Sequence, residues 1–293
     1  MPTRPRTSDV DGLMPELPEV ESTRRFLTPA VVGRTIERVE VRRERMVRHQ
    51  AHPSDFPLRL VGGTIDAVRR HGKFLLTDVA DASDAAPIVW VTHLGMSGRL
   101  SLAAPGEREA AHTNVVVAAG DVEIRLVDPR TFGFVAAWTP EELARSPLAS
   151  LGPDALDALP GVRRWERVLA GRTAPIKALL LDQRVIAGLG NIYADEALHR
   201  ARIAPLRPSG SLTADELGRL RRAIRTTLAA GVRWGGTSLD DLAYLLPDGR
   251  AGDFAQRLRV YGRTDEPCPR CGAAISRALV RARSTHWCPR CQT

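Results

Sequence analysis

Four cysteines near the C-terminal end of the chain carry the clearest chemical signal. They form two C-x2-C pairs separated by sixteen residues: Cys268, Cys271, Cys288 and Cys291. Two such turns at this separation match a structural zinc site, in which four thiolates surround the metal as a tetrahedron. A redox pair usually has a single C-x2-C beside a βαβ pattern, and disulfides are disfavoured in a cytosolic protein. We therefore expect one zinc ion and a small finger whose folding depends on it.

Lysine is rare in this chain and marks two further positions. Of the 42 basic residues, only Lys73 and Lys177 are lysines. An ammonium group can release a proton and acts as a compact point charge, whereas a guanidinium group stays charged. These lysines are candidates for proton transfer or phosphate binding, and chance retention is the alternative that the count leaves open.

A Met-Pro-Glu tripeptide at residues 14–16 looks like a protein start but lies inside the chain. A helix signal follows it. Pro18 suits the first turn, where its missing N–H is not needed, and Glu19 and Glu21 suit the positive end of the helix dipole. We predict a helix over residues 18–30 that buries Val20, Phe26, Leu27 and Ala30.

Charge and hydropathy limit the classes of function. The net charge is +8, and residues 255–293 contain eight arginines and two acidic residues. A concentrated basic region favours a polyanionic partner, nucleic acid first, although charge alone is also compatible with a solvated surface. No apolar run approaches the roughly 20 residues of a membrane span, and the opening segment lacks the apolar stretch of a secretory signal. We expect a cytoplasmic protein without a membrane partner.

The elements that must position these residues change character along the chain. Between residues 31 and 138, short β-type runs separated by Gly, Pro and Asp predict an antiparallel sandwich or barrel. A segment rich in Pro, Gly and small residues follows, and we interpret it as a linker. Beyond it the hydrophobic period becomes helical. Thr213, with Glu216 three residues later, predicts a capping box at the start of one helix.

Two other predicted helices, over residues 177–183 and 191–202, flank turns that contain Gly188 and Gly190. Asn191 can cap the second helix, whose N-terminus would then form an anion site. An ordinary helical hairpin with an Asn cap is the alternative. The neighbouring basic finger favours a phosphate clamp.

Seven segments together resemble the formamidopyrimidine-DNA glycosylase family, bacterial base-excision-repair enzymes that remove oxidised purines. In chain order they are MPELPEVES, HGKFLL, THLGMSGRL, DPRTFG, DQRVIAGLGNIYADEAL, DFAQRLRVYGR, and PCPRCG with RSTHWCPRCQ. The resemblance runs from Met14 almost to the end of the chain. It implies an α+β fold with an N-terminal antiparallel β-sandwich and N-terminal helix, a helix–two-turns–helix domain, and a C-terminal four-cysteine zinc-finger β-hairpin.

The resemblance also implies domain boundaries. Residues 1–14 would be a non-native or disordered N-terminal extension. Residues 15–145 would form the catalytic β-sandwich domain with its helix, and residues 146–162 the linker. Residues 163–258 would form the helix–two-turns–helix DNA-binding domain, and residues 259–293 the zinc finger.

The implied activity explains the Met-Pro-Glu tripeptide. Family members lose the initiator Met, and the secondary amine of the exposed proline attacks C1′ of the damaged nucleotide. An α-amino group has a pKa of about 8, so part of it is neutral and nucleophilic at physiological pH. A proline inside a chain is a tertiary amide and cannot react in this way. Pro15 can therefore act only if residues 1–14 are absent, and we expect a mis-assigned start with Met14 as the initiator.

The enzyme that the resemblance implies is a bifunctional DNA glycosylase/AP lyase. It flips out and excises 8-oxoguanine and formamidopyrimidines through a proline Schiff base, then cleaves the strand by β,δ-elimination. Its partner is double-stranded DNA that contains oxidised bases or abasic sites. It needs no catalytic cofactor, and a monomer is expected.

Residue by residue, the resemblance assigns roles to the positions that match these motifs. Pro15 is the nucleophile, Glu16 the adjacent acid/base, and Glu19 a second carboxylate at the site. Lys73 is the proton donor in β-elimination, and Arg283 on the finger serves δ-elimination. The gap left by the flipped base is filled by an apolar pair and an arginine: Met96, Phe132 and Arg130. Contacts with the DNA backbone are assigned to His112, Arg172, Lys177, Asn191 and Arg283.

Two alternatives stay open. An endonuclease-VIII-like glycosylase shares the fold, the proline and the finger but prefers oxidised pyrimidines. The PELPE segment and the Met/Arg/Phe trio favour the purine branch. If residues 1–14 are retained, the chain would instead be a catalytically silent protein that binds damaged DNA, because Pro15 would be blocked.

Overall fold

A computed structural model of the chain describes residues 14–80, 86–238 and 244–293. These residues form two compact units. The N-terminal unit comprises residues 14–150 and Thr237–Gly252, and the C-terminal unit comprises Leu151–Gly236 and Asp253–Thr293. Nearly all of the predicted extension lies outside the described residues, and the five domain boundaries stay predictions. No helix in the described part of the chain is both long and apolar enough to span a membrane.

Two four-stranded antiparallel sheets build the N-terminal unit, as the run of short strands predicts. The first has the order β1-β6-β7-β5, with bounds Ile36–Val41, Thr113–Ala119, Val122–Val127 and Arg99–Ala103. The second has the order β2-β3-β4-β8, with bounds Thr64–His71, Phe74–Ala80, Ile88–His93 and Phe134–Trp138. Two short helices accompany the sheets: α2 (Asp55–Leu60) and α3 (Pro140–Arg145).

One hydrophobic core joins the two sheets into a sandwich. Alternate residues of β6, namely Val115, Val117 and Ala119, lie in the same buried cluster as Leu75 and Val79 of β3. The period of two in both strands is what a half-buried strand requires. Each fully buried Val, Leu or Ile contributes about 1.5–3 kcal/mol. The two sheets therefore share an apolar core of their own, and the loops between the strands are attached to it.

Helix α1 spans Leu17–Val31, close to the predicted range. Its inner face buries Val20 and Leu27, but Phe26 and Ala30 are only partly buried, so that part of the prediction is wrong. The guanidinium carbon of Arg250 lies 5.6 Å from the Phe26 ring centroid instead. The first turns of the helix bury polar side chains, which hydrophobic periodicity does not report: Glu19, Glu21, Ser22 and Thr23.

The C-terminal unit combines four helices with a hairpin. The helices are α4 (Val162–Leu169), α5 (Ile176–Leu180), α6 (Asn191–Ala201) and α7 (Ala214–Arg233), and the hairpin strands are β9 (Ser276–Val280) and β10 (Arg283–Trp287). The capping box predicted at Thr213 is confirmed. Its hydroxyl accepts a hydrogen bond from the backbone N–H of Glu216, and the Glu216 carboxylate accepts one from the backbone N–H of Thr213.

The predicted cap of α6 is wrong. Gly190 occupies the N-cap position, and Asn191 is the first helical residue. A side chain at that position lies beside the helix end and not over its free N–H groups, so Asn191 makes no capping bond. The preceding helix α5 is also shorter than predicted, since it ends at Leu180.

Candidate functional site

Pro15 and Glu16 lie at the buried start of α1. Pro15 is buried, and the Glu16 side chain is 3% exposed. Two backbone N–H groups donate to the carboxylate of Glu19: that of Glu16 to Oε2 at 2.8 Å and that of Thr237 to Oε1 at 2.7 Å. The Tyr244 hydroxyl donates to the backbone carbonyl of Glu19 at 3.1 Å. Glu19, predicted as a second carboxylate, thus connects the start of α1 to a segment more than 200 residues away.

A second buried carboxylate fixes the same helix from its next turn. Glu21 binds Arg24 at 2.9 Å, Arg25 at 2.8 Å and Arg70 of β2 at 3.2 Å. Burial by itself raises the pKa of Glu21. The hydrogen bonds and charges of the three arginines lower it by a larger amount, so the pKa is about 2. The carboxylate is therefore charged at neutral pH, and it holds α1 against the sheet.

Lys73 lies in the two-residue turn between β2 and β3, and its side chain is 7% exposed. Gly72 adopts the left-handed conformation, with φ of 57°, that such a turn requires. Helix α1 packs on β2 and β3, so Pro15, Glu16 and Lys73 lie on neighbouring elements.

His93 is a residue of this region that the sequence motifs do not single out as functional. Its pKa is lowered to about 4 by burial first and then by the charge of Lys73. The backbone N–H of Gly95 donates to His93 Nδ1 at 3.2 Å, which requires that nitrogen to be unprotonated. The ring lies 4.6 Å from the ring of Phe74. His93 is therefore neutral, and Lys73 supplies the positive charge.

The loops that carry Met96, Arg130 and Phe132 are joined through Asp128. This fully buried carboxylate accepts hydrogen bonds from the Ser97 hydroxyl at 2.5 Å and from the backbone N–H groups of Arg130 and Gly133 at 3.2 and 2.8 Å. A Cβ on Gly95 would lie 2.3 Å from the nitrogen of Gly133, so only glycine allows the two loops to approach this closely.

Two members of this trio are held out towards solvent. The Phe132 side chain is 41% exposed, and the guanidinium carbon of Arg130 lies 4.8 Å from its ring centroid. Met96 is half-buried. The exposed Phe132 ring leaves apolar surface in water, and an apolar side chain of this kind suits insertion at an unstacked base step. The structure thus brings together the three residues that the motifs predict as void fillers.

His112 is anchored to the same loop cluster. It has φ of 63°, an uncommon conformation for a residue with a side chain. The backbone N–H of Asp128 donates to the His112 carbonyl at 3.1 Å, and the Asn114 amide donates to the Asp128 carbonyl at 2.8 Å. The imidazole itself is exposed.

Lys177, in the C-terminal unit, has no exposed surface. Its ammonium lies 2.7 Å from Asp195 Oδ1 and donates to the Ser284 carbonyl at 2.9 Å. The other oxygen of Asp195 accepts the backbone N–H of His286 at 2.9 Å. Lys177 and Asp195 therefore tie α5 and α6 to strand β10, and the direct phosphate contact assigned to Lys177 stays a prediction that its burial does not support.

Arg283 begins β10, directly after a tight turn. Arg281 and Ala282 have φ of 49° and 58°, and Val280 pairs with Arg283, as in a type I′ hairpin turn. The Arg277 guanidinium donates to the Ser284 hydroxyl at 2.8 Å. The turn and the buried Lys177–Asp195 pair fix the backbone on both sides of Arg283, whose side chain is partly exposed.

Asn191 and Arg172 occupy different surroundings in this unit. Both polar side-chain atoms of Asn191 are buried and have no hydrogen-bond partner among the described residues. An amide left in this state costs free energy unless a ligand binds it. Arg172 is exposed, and its carbonyl accepts the backbone N–H of Gly210 at 2.9 Å.

The four cysteines come together as the spacing predicts. Their Sγ atoms lie within 4.8 Å of one another, those of Cys271 and Cys288 are 3.5 Å apart, and none forms a disulfide. Zn–S bonds of about 2.3 Å in a tetrahedron place sulfurs about 3.8 Å apart, so the donor set fits zinc. The predicted site for one structural zinc ion is confirmed: these four thiolates would hold it, and its binding would stabilise the folded finger.

Family models for three domains match the chain in order. They are the formamidopyrimidine-DNA glycosylase N-terminal domain at residues 14–135, the formamidopyrimidine-DNA glycosylase H2TH domain at residues 151–242, and the zinc finger found in FPG and IleRS at residues 265–293. The formamidopyrimidine-DNA glycosylase of Geobacillus kaustophilus is 44% identical over 285 residues, which cover 95% of this chain and 100% of that protein.

Solved structures agree with these relatives. The crystal structure of the MutM (Fpg) protein from Thermus thermophilus superposes with a TM-score of 0.83 at 41% identity and covers 95% of this chain and 98% of that one. Lactococcus lactis Fpg in complex with DNA containing an abasic site superposes with a TM-score of 0.85 at 32% identity. The match covers 95% of this chain and 99% of that one. The fold class is confirmed as well. The chain belongs to the formamidopyrimidine-DNA glycosylase family, and it is a DNA glycosylase with a structural zinc finger.

Proposed function

We propose that this chain is a bifunctional DNA glycosylase/AP lyase that excises oxidised purines from duplex DNA with the amine of Pro15. One observation carries the proposal: the start of α1 is buried, and the carboxylate of Glu19 holds the backbone of Glu16 beside Pro15. The match to the family's N-terminal domain begins at Met14, one residue before the proline. If Met14 is the initiator and is removed, the chain begins with the secondary amine of Pro15.

The glycosylase step forms a bond from the Pro15 nitrogen to C1′. The bond between C1′ and the base breaks, and its electron pair leaves with the base, which takes a proton. The nitrogen then loses its proton and its lone pair forms an iminium with C1′, while the C1′–O4′ bond breaks. Glu16, adjacent in sequence and almost fully buried, donates the proton that O4′ requires.

The lyase steps follow from the iminium, which acidifies C2′. Loss of a C2′ proton breaks the C3′–O3′ bond and expels the 3′ phosphate. Lys73 supplies the proton that the departing group takes up. Loss of a C4′ proton then expels the 5′ phosphate with the help of Arg283. Water hydrolyses the remaining iminium and restores the Pro15 amine.

Other residues hold the DNA open. Met96 and Phe132 fill the space of the flipped nucleotide, and Arg130 bonds the base left without a partner. His112, Arg172, Asn191 and Arg283 contact phosphates, and the unsatisfied amide of Asn191 supports its assignment. We assign Lys177 an indirect part, in which its bond to the Ser284 carbonyl holds the finger strand that presents Arg283.

We place this activity in the cytoplasm of a bacterium and assign it to a monomer. The Geobacillus kaustophilus and Thermus thermophilus relatives, which each match 95% of the chain, are bacterial proteins. Light scattering on the purified zinc-loaded protein, with and without a duplex, tests the oligomeric state. A mass of one chain is expected.

Borohydride trapping tests the nucleophile. A protein whose native N-terminus is Pro15 should form a covalent adduct with a duplex that contains 8-oxoguanine, and peptide mapping should place it on Pro15. A protein that retains residues 1–14 should form no adduct but still bind the duplex. Equal trapping by both proteins, an adduct on Lys73, or a trapping rate unchanged by Pro15→Gly would refute the proposed chemistry.

Competition between lesions tests the substrate class. The Lactococcus lactis relative has been crystallised with DNA containing Fapy-dG and with DNA containing an oxidised pyrimidine, so binding alone does not separate the classes. We expect single-turnover excision of 8-oxoguanine to be faster than that of thymine glycol. A strong preference for thymine glycol would instead place the chain with the pyrimidine-specific branch.

A further inference from the structure

The C-terminal unit contains a cavity of about 220 Å³ that the proposed chemistry does not use. It lies between α6, α7 and the short 3-10 helix Phe254–Arg257. Its floor consists of buried side chains, and its rim carries three exposed arginines. The residues that shape it are Glu196, Arg200, Thr227, Phe254, Arg257 and Arg259.

The arginines around this cavity carry more positive charge than the one acid that lines it can balance. Among the residues that the structure describes, Arg200, Arg257 and Arg259 form no ion pair, and their guanidinium groups donate no hydrogen bond. Arg207 of the same unit, by contrast, is paired with Glu216 at 2.6 Å. Three unpaired guanidinium groups around one concave site leave a local excess of positive charge.

The acid at the floor does not balance this charge. Both oxygens of Glu196 accept backbone N–H groups of Arg259, Val260 and Tyr261 at 2.9–3.0 Å. The carboxylate therefore fixes the chain segment that presents Arg259. Burial raises the pKa of Glu196, and these hydrogen bonds lower it. One carboxylate beside three guanidinium groups leaves the cavity with an excess of positive charge.

One of the three arginines is held in place before any ligand arrives. The guanidinium carbon of Arg257 lies 3.3 Å from the ring centroid of Trp234, a stacking contact that restricts its rotamers. The pKa of Arg200 is lowered by burial and then by the charge of Arg259, so these two groups repel each other. A bound anion would relieve that repulsion, and the stacked Arg257 would lose little side-chain entropy on binding it.

We propose that this cavity binds a phosphoryl group. Guanidinium forks bind tetrahedral oxyanions through paired N–H···O bonds, and three of them around a small cavity suit an anion with several equivalent oxygens. The group is either a phosphodiester of the bound DNA away from the lesion or a free phosphate. Neither source depends on Pro15 chemistry, so this proposal stands apart from the proposed function.

Calorimetry with inorganic phosphate tests the site on the zinc-loaded full chain. Titrations are run at constant ionic strength, with sodium chloride replacing phosphate, on the parent, on the double variant Arg200→Gln/Arg259→Gln, and on a control. The control, Arg222→Gln/Arg225→Gln, removes the same charge from exposed positions of α7 that do not line the cavity. We expect the cavity variant to bind phosphate about tenfold or more weakly than the parent, and the control to bind it as the parent does.

Salt dependence of duplex binding distinguishes the two sources. If the ligand is a DNA phosphodiester, the slope of log K against log salt should fall by about 0.9 in the cavity variant relative to the control. If the ligand is free phosphate, the slopes should agree while the calorimetric loss persists. Both results support the site.

One result overturns the proposal. Phosphate binding that is equal in the parent, the cavity variant and the control, with circular dichroism and zinc content unchanged, would show that the three arginines form no anion site. That conclusion would hold whatever the DNA measurement gives. It would also leave the proposed glycosylase chemistry untouched, because borohydride trapping tests that chemistry and does not depend on this cavity.

Discussion

Glu19, Asp128 and Asp195 are exposed by 1% or less, and each accepts backbone N–H groups that fix a neighbouring or remote segment. A carboxylate has two oxygens and about four acceptor sites, so one side chain can hold two segments in register. Left unpaired in the interior, the same charge would cost several kcal/mol. At the scale of single residues, these acids position the groups to which we assign chemistry and need not react themselves.

The first prediction concerns Glu19. Glu19→Gln replaces one acceptor oxygen with an NH2 group that must face a backbone N–H, either that of Glu16 or that of Thr237. We expect the N-terminal unit to lose about 2 kcal/mol of stability and Pro15 trapping to slow by about tenfold or more. Urea unfolding and single-turnover borohydride trapping measure the two effects. Glu37→Gln, at an exposed position of β1, should change neither; a matching loss there would remove the special role of Glu19.

What the sequence could predict depends on how far apart the interacting residues lie. The capping box of Thr213 and Glu216 and the two C-x2-C turns are local, so spacing alone reveals them. The partner of Glu19 is 218 residues away, and that of Asp195 in the hairpin is 91 residues away. No periodicity encodes such a pairing. Buried acids that hold backbone groups also break the hydrophobic pattern and therefore read as surface residues.

At the scale of elements, the attachment of α1 to the sheet rests on charge as well as on apolar packing. Glu21 binds two arginines of its own helix and the almost fully buried Arg70 of β2. The helix carries Pro15 and Glu16 at its start, so the orientation of the proposed nucleophile depends on this pair of elements. In the same way, the orientation of Arg283 depends on the hairpin β9–β10, since Arg283 begins β10.

The second prediction is the pH dependence of the Glu21 contact. Its pKa in the folded protein, about 2, lies below the ordinary value of 4.5, so the contact stabilises fully above pH 4.5 and is lost as the pH falls towards 2. The upper limit of this contribution is about 3 kcal/mol. The free energy of unfolding of the parent minus that of Glu21→Gln should be largest at pH 6 and shrink between pH 4.5 and 2.5. A constant difference would contradict the assignment, and effects of acid on the zinc site cancel in the subtraction.

The third prediction concerns the hairpin turn. Ala282 has φ of 58°, where a side chain costs roughly 1–2 kcal/mol and glycine does not. Ala282→Gly should therefore raise the stability of the C-terminal unit by about 0.5–1 kcal/mol, since glycine also loses more chain entropy on folding. Thermal unfolding of the zinc-loaded protein measures it. Ala278→Gly, within β9, is the matched control and should destabilise; the same sign for both variants would argue against a strained turn.

At the scale of the whole molecule, the two units use different sources of stability. The N-terminal unit has a large apolar core that both sheets and α1 share. The hairpin end of the C-terminal unit has a small cluster around Val260, Ile275 and two of the cysteines. A cluster of this size cannot offset the conformational entropy of the finger without the metal. We therefore expect the N-terminal unit, which carries Pro15, to fold without zinc. The finger, which carries Arg283, should fold only with zinc.

The fourth prediction is the effect of losing the metal. Removal of zinc by a chelator, or Cys271→Ala, should unfold the finger, release the backbone around Arg283 and weaken duplex binding by about tenfold or more. Hydrogen exchange should show lost protection in β9 and β10 and unchanged protection in β3 and β4, whose amides pair within the sandwich. Added zinc should restore binding to the chelated parent but not to the variant. If β3 and β4 lost protection together with the finger, the two units would share one folding transition, and the sandwich would depend on zinc as the finger does.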